Sequence, residues 1–293
     1  MKKILLFVMA ALMISKVGIG QDDDTKKKFR AGLKFSGQPS WFMSGDPNTT
    51  KLKTGFGYGF GLVTDFRLSD VIYFSTGIGG DFENATVKFR NDGYDPINNP
   101  NAFACGYMLD NSNGFVAAEN GVDASNFTKT GNSSYVLTSR KIKTTYVTIP
   151  LSLKMLTKEF AGFRYFGQFG GDLGIRVGAK AADTYSYKFD YTSSGVTVGA
   201  GGTSPYYNIG KDCSLAPFRF GMNIGLGAEY RMAGSTSLFL SVNYFRSFTN
   251  LMRTDSKFNY TSATVDSNNK VTFTHLQQKL MMSAIKINIG VMF

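Results

Sequence analysis

"FRFGMNIGLGAEYRM", residues 218–232, decides the fold. One face of its alternation carries Phe218, Phe220, Met222, Ile224, Leu226 and Tyr230. The other carries Arg219, Gly221, Asn223, Gly225, Gly227, Glu229 and Arg231. A period of two is that of a β-strand. In a barrel surrounded by water, the outer face is covered with Lys, Glu and Thr, and glycine there weakens the sheet for no gain. In a narrow barrel surrounded by lipid, inward glycines leave room for long charged side chains opposite. The unbroken apolar row then meets hydrocarbon, where strand closure satisfies every backbone N–H and C=O. The glycine-and-charge face therefore reads as lumen.

The same pattern recurs along the chain. Residues 163–180 place Arg164, Gln168, Gly170, Asp172, Gly174, Arg176, Gly178 and Lys180 opposite Phe163, Tyr165, Phe169, Leu173, Ile175 and Val177. Residues 55–68 set Gly55, Gly57, Gly59, Gly61, Asp65 and Arg67 against an aromatic row. Further alternating runs lie at 29–35, 71–82, 146–155, 237–248 and 284–293, which makes eight strands. Three connections are short, around Ser69-Asp70, 157–162 and 233–236; four are long, at 37–54, 91–139, 190–215 and 254–273. Short turns at one end and long polar loops at the other are the mark of an outer-membrane barrel. The expected fold is all-β: an eight-stranded antiparallel up-and-down transmembrane β-barrel, with short periplasmic turns and long extracellular loops, over residues 29–293.

Ahead of it, residues 1–20 have the form of a signal peptide: Lys2 and Lys3, an apolar run from Ile4 to Ile14, and Gly18-Ile19-Gly20 before Gln21. Residues 21–28 form a charged leader. No later run of about 18 apolar residues could make a membrane helix. With 33 Gly, 26 Phe and 15 Tyr against 18% charged residues, the totals favour strands and turns over helices. The expected location is the outer membrane of a Gram-negative cell, integral, after signal-peptide cleavage.

"YVTIPLSLK" (146–154), "GLGAEYRM" (225–232), "SVNYFRSFTNL" (241–251) and the closing "INIGVMF" resemble the outer-membrane β-barrel family of Bacteroidetes-type bacteria that includes the PorT proteins. The resemblance covers about residues 29–293 and is weakest in the long loops. It implies the fold and no active site; family members have varied roles, and PorT belongs to a secretion machine. It also implies that the final aromatic residue, Phe293, is an assembly signal read by the barrel assembly machinery.

Little else suggests chemistry. The single His275 has no companions to complete a zinc site. "GFGYGFG" lies inside a strand pattern with no helix after it, so it is not a nucleotide loop. Carboxylate pairs such as Asp81 and Glu83 read as partners for lumen cations rather than an acid/base pair. No catalysis, cofactor, metal or nucleic-acid partner is expected. Within the lumen, Arg164, Asp172, Arg176, Arg219, Glu229 and Arg231 are expected to form a charge network that closes the bore. Cys105 and Cys213 fall in adjacent outer loops and could form a disulfide in an oxidising setting. The expected role is structural or interactive, with lipid around the barrel and a protein partner at the loops, including membership of a secretion or surface complex. The alternatives are a small passive, anion-leaning channel and a soluble periplasmic ligand-binding barrel.

Overall fold

The computed structural model describes residues 28–45, 49–99, 101–102, 104, 106–111, 114–116, 118–124, 133–192, 194–204, 207–209, 215–253 and 259–293. The signal peptide, all but the last residue of the leader, Cys105 and Cys213 lie outside these residues. The architecture is all-β. Among the described residues no helix is long and apolar enough to cross a membrane, a statement that does not bear on strands.

Among the described residues, eight long strands carry the fold: β1 (Phe29–Ser44), β2 (Thr49–Arg67), β3 (Ile72–Phe89), β4 (Ser133–Leu156), β5 (Phe163–Thr192), β6 (Phe218–Ala233), β7 (Thr236–Ser247) and β8 (Leu280–Met292). Each pairs antiparallel with the next in sequence, and β8 pairs back onto β1, Leu33 opposite Val291 and Phe35 opposite Ile289. The three short turns fall where the sequence places them. Gly234, in the turn between β6 and β7, has φ +56°, a conformation that side chains with a Cβ rarely adopt.

The alternation sorts the sheet into two faces of opposite character. Outward residues form an apolar band that includes Phe56, Phe60, Leu62, Leu151, Phe169, Ile224, Leu226 and Ile287. Leu226 keeps 73% of its surface. Inward residues include the buried charged groups Arg30, Asp65, Lys154, Asp172, Arg219, Glu229 and Lys286, beside buried rings such as Tyr146, Phe166 and Phe245. Inward glycines make the space that these side chains need. A Cβ on Gly225 would meet the Asn243 amide, one on Gly221 the Phe245 ring, and one on Gly227 the Phe166 ring.

The strands run much further than the sequence pattern indicates. β4 has 24 residues and β5 has 30, where about 9–11 suffice to cross a bilayer. The expected long loop at 37–54 is mostly strand, because Gln38 and Ser40 are buried on the inner face of β1 and so read as loop-like polar residues. Likewise the expected loop at 91–139 yields its end to β4, and that at 190–215 its start to β5. Beyond the long strands, Tyr107–Asn111 pairs with the start of β4, Gly195–Thr203 pairs with the end of β5, and Asn259–Val265 forms a hairpin with Lys270–His275.

Bulges hide these extensions in the sequence. Thr145 opposes Gly178 but Tyr146 opposes Arg176, so Val177 is an extra residue on β5. The insertion reverses the alternation above it. Ala179, Ala181 and Asp183 turn inward, and Lys180, expected in the lumen, is on the outside. A second register shift, between Thr54 and Tyr58 opposite Ala85 and Phe82, does the same on β2 and turns Lys53 outward.

Candidate functional site

The inner face holds charged groups in three tiers. Nearest the short turns, Arg30 of β1 donates to Glu229 Oε2 at 2.9 Å and to Asp65 Oδ2 at 2.9 Å. Lys154 of β4 donates to the same Asp65 oxygen at 3.0 Å and also to Glu229. Arg164 of β5 lies 3.5 Å from Glu229. Five strands thus send side chains to one point, all of them buried. Rings of Tyr73 and Phe166 lie 5.0 Å from the Arg30 guanidinium and 4.3 Å from Lys154 Nζ, in range of cation–π attraction.

The middle tier centres on Lys286 of β8. It donates to Asp81 at 2.7 Å and to Asp172 at 3.3 Å. Arg219 donates to Glu83 and lies 3.8 Å from Asp81. Its guanidinium is sandwiched by the Tyr146 and Phe245 rings, at 4.2 and 4.6 Å. An amide chain completes the layer: Asn223 donates to Asp172 at 3.1 Å, Asn243 to Asn223 at 2.9 Å, and Asn288 to Asn243 at 3.0 Å. Lys34 lies within electrostatic reach of Lys286, Asp81 and Asp172.

The outer tier lies on the strand extensions. Arg140 of β4 forms a two-point pair with Asp183 of β5, at 2.7 and 2.9 Å. Tyr207 donates to Asp183, and Asn259 accepts from Arg140 at 3.4 Å. This tier joins the long strands to segments beyond them.

The six lumen residues singled out from sequence therefore fall in different places. Glu229 and Arg164 share the first tier; Asp172 and Arg219 share the second, though on different partners. Arg176 sits opposite Tyr146 at the β5 bulge. Arg231 lies at the turn end, 3.5 Å from Glu159 and partly exposed. The central positions of Arg30, Asp65, Lys154 and Lys286 come from register across the bore, which no single strand reveals. Arg140 shares the parity of Tyr146 and Thr148, so extending the β4 period upstream would have found it. Phe293 donates its backbone N–H to Ala31 at 2.7 Å, and its ring is half-exposed on the apolar face.

A model of the outer membrane protein beta-barrel domain family matches residues 20–253. No curated protein matches the sequence. Among solved structures, Ail, the attachment invasion locus protein of Yersinia pestis, matches at 10% identity over 91% of this chain and 100% of that one, with TM-score 0.30. Neisserial surface protein A matches at 9% identity over 90% and 97%, with TM-score 0.31. OprG from Pseudomonas aeruginosa matches at 11% identity over 90% and 95%, with TM-score 0.36. Likenesses this distant say nothing about the role of this chain.

Proposed function

The chain belongs to the outer membrane protein beta-barrel domain family, and we propose that it is an eight-stranded barrel integral to the outer membrane. Its bore is closed by its own side chains, and its working surface is the part that projects beyond the lipid on the long-loop side. The observation that carries this reading is the division of the sheet: buried Arg30, Lys154, Asp65 and Glu229 meet inside, while Phe60, Leu226 and Ile287 stand exposed outside. From Phe56 to Phe66 on β2, at about 3.3 Å per residue and a tilt of about 40°, the apolar band is about 25 Å tall, the height of a lipid-facing girdle. A soluble ligand-binding barrel needs the opposite arrangement.

With ions paired across the bore at two levels, a steady open pathway is not expected. Function then falls to the extensions, where β4, β5 and the hairpin Asn259–His275 build a platform of strands. A role in a secretion or surface complex rests on the resemblance of four segments of the sequence to the PorT-type barrels. Planar-bilayer recording tests the closed bore: little steady conductance is expected, and a stable open conductance would overturn it. Capture of partners from native outer membranes should depend on residues 91–132 and 193–215 and not on the turns. A second reading, a narrow anion-leaning channel, has one observation in its favour. The first tier brings three cations, Arg30, Lys154 and Arg164, to the carboxylates of Asp65 and Glu229. Anion preference in single-channel records would support it.

A further inference from the structure

The bulges that turn Lys53 and Lys180 outward bring them into a patch with Lys88, Lys141 and Lys143 on the outer face of β2–β5. All five are exposed. Lys143 stands directly opposite Lys180 in the β4–β5 ladder. Thr86 of β3 is opposite Lys53 on one side and Lys141 on the other, with Lys88 two residues further along the same face. Among the described residues, the outward neighbours Asn84, Thr86, Ser139, Ala182 and Asn208 are uncharged. Like charges directly opposite repel, and an anion between Lys143 and Lys180 is attracted by both.

The height of the patch says which anion. Lys180 is three residues beyond Val177, and Lys53 is three residues from Phe56; Val177 is 61% exposed and Phe56 68%, both at the upper rim of the apolar band. Three residues rise about 10 Å along the strand. At a tilt of about 40° that is about 7–8 Å above the hydrocarbon edge. A headgroup layer is about 5–8 Å thick. The ammonium groups therefore stand at the level of lipid phosphates, on the same strands whose apolar residues meet the acyl chains below. Lysine stems are long enough to lie along the sheet and choose their depth.

We infer that this patch binds the phosphate groups of anionic lipids in the leaflet on the long-loop side. The inference rests on the transmembrane reading of the barrel. Among the described residues, β2–β5 carry five exposed lysines at this level, whereas β6 and β7 present Phe218, Phe220 and Phe248 with the partly buried Arg246 at their upper ends. The barrel should thus hold anionic lipid on one flank.

The test is native mass spectrometry of the full mature chain released from nanodiscs of phosphatidylcholine mixed with phosphatidylglycerol of the same acyl chains. Wild type should retain phosphatidylglycerol in preference to phosphatidylcholine. The triple variant Lys141→Gln/Lys143→Gln/Lys180→Gln should lose that preference by about tenfold or more, given about fivefold for each lysine near an anionic surface. Lys270→Gln, on the distant hairpin, should leave it unchanged, and Lys141→Arg should keep it. Raising salt to about 1 M, where the screening length is about 3 Å, should weaken the wild-type preference. A triple variant that inserts normally and keeps the preference would overturn the inference alone. Retention of inorganic phosphate with no preference between lipids would overturn the lipid as the ligand. Failure of wild type to insert into nanodiscs would overturn the transmembrane reading as well.

Discussion

Glu229→Ala is the perturbation that tests the proposed closed bore most directly. In the folded protein this carboxylate takes hydrogen bonds from Arg30 at 2.9 and 3.3 Å and from Lys154, with Arg164 at 3.5 Å. Its removal leaves Arg30 and Lys154 to share Asp65, whose Oδ2 already accepts from them at 2.9 and 3.0 Å. Two unit charges 4 Å apart interact by about 4 kcal/mol at an effective dielectric constant of about 20. The variant loses attraction to three neighbours and keeps their mutual repulsion. Measured losses for breaking buried pairs are about 3–5 kcal/mol. We expect a loss in that range for Glu229→Ala. Glu229→Gln should cost less, since its amide oxygen can still accept from Arg30.

The assay is equilibrium urea unfolding of the barrel in phospholipid vesicles, followed by gel mobility of the unheated protein and by tryptophan emission. Asp70→Asn is the matched control: Asp70 pairs with Arg67 at an exposed turn, where an ion pair contributes little. A Glu229→Ala loss below about 1 kcal/mol would refute the dry, paired bore, because water would then be solvating the freed guanidinium groups. Such a result would also revive the channel reading, since a hydrated bore with an excess of cations is what anion conduction needs.

Other outcomes rest on the same geometry. Ile224→Arg, in the middle of the apolar band on β6, should destabilise the inserted barrel by about 2–4 kcal/mol, while Thr184→Arg on the β5 extension should change urea midpoints little. Gly221→Val drives a side chain into the Phe245 ring and the Arg246 carbonyl, and should cost about 1–3 kcal/mol in the same assay. Tyr207→Phe removes the hydroxyl that bonds Asp183, a hydrogen bond to a charged group worth about 1.5–3 kcal/mol, and should speed protease cleavage of the extensions while leaving the spanning region protected. At the far end of β5, the Lys188 ammonium at 2.8 Å and the Ser133 hydroxyl hold the Asp190 carboxyl below its ordinary range. Its folded value lies below its unfolded value of about 3.9, so its stabilisation is complete above that pH and is lost as pH falls through the folded value. Protection factors of the Ser133–Asp190 ladder, corrected for the intrinsic exchange rate at each pH, should fall on acidification through that window, and Asp190→Asn should flatten the dependence.

The division of faces was legible in single strands because lipid and lumen impose opposite chemistry on alternate residues. Phe218 to Tyr230 and Phe163 to Ile175 each show it without help from the rest of the chain. The strand extensions were not legible, for two physical reasons. Beyond the hydrocarbon, the outer face no longer has to be apolar, so Lys141, Lys143 and Lys180 replace the apolar row and the pattern dissolves. Bulges at Val177 and near Thr54 then reverse the parity, so a correct reading of β5 up to Arg176 assigns Lys180 to the wrong side. Charge partners were illegible for another reason. Glu229 meets Arg30 and Lys154 across the bore, and that depends on register summed around the sheet. The membership of Arg219 and Glu229 in separate tiers could not be read from their presence on one face of one strand.

The tiers differ in what they join, and that difference bears on where function resides. The first two tie spanning strands to one another: β1, β2, β4, β5 and β6 through Glu229 and Asp65, then β3, β5, β6 and β8 through Asp81 and Asp172. Their loss would loosen the whole wall. The Arg140–Asp183 pair instead reaches Tyr207 and Asn259, which lie outside the spanning strands. Its loss should leave insertion intact and change only the shape of the projecting platform. If the working surface is that platform, Arg140→Ala should weaken partner capture without altering urea stability of the spanning region. If the bore is the working part, Glu229 variants should alter activity and Arg140 variants should not. Comparing the two substitutions in one strain, with insertion checked by gel mobility, separates a barrel that conducts from a barrel that presents a surface.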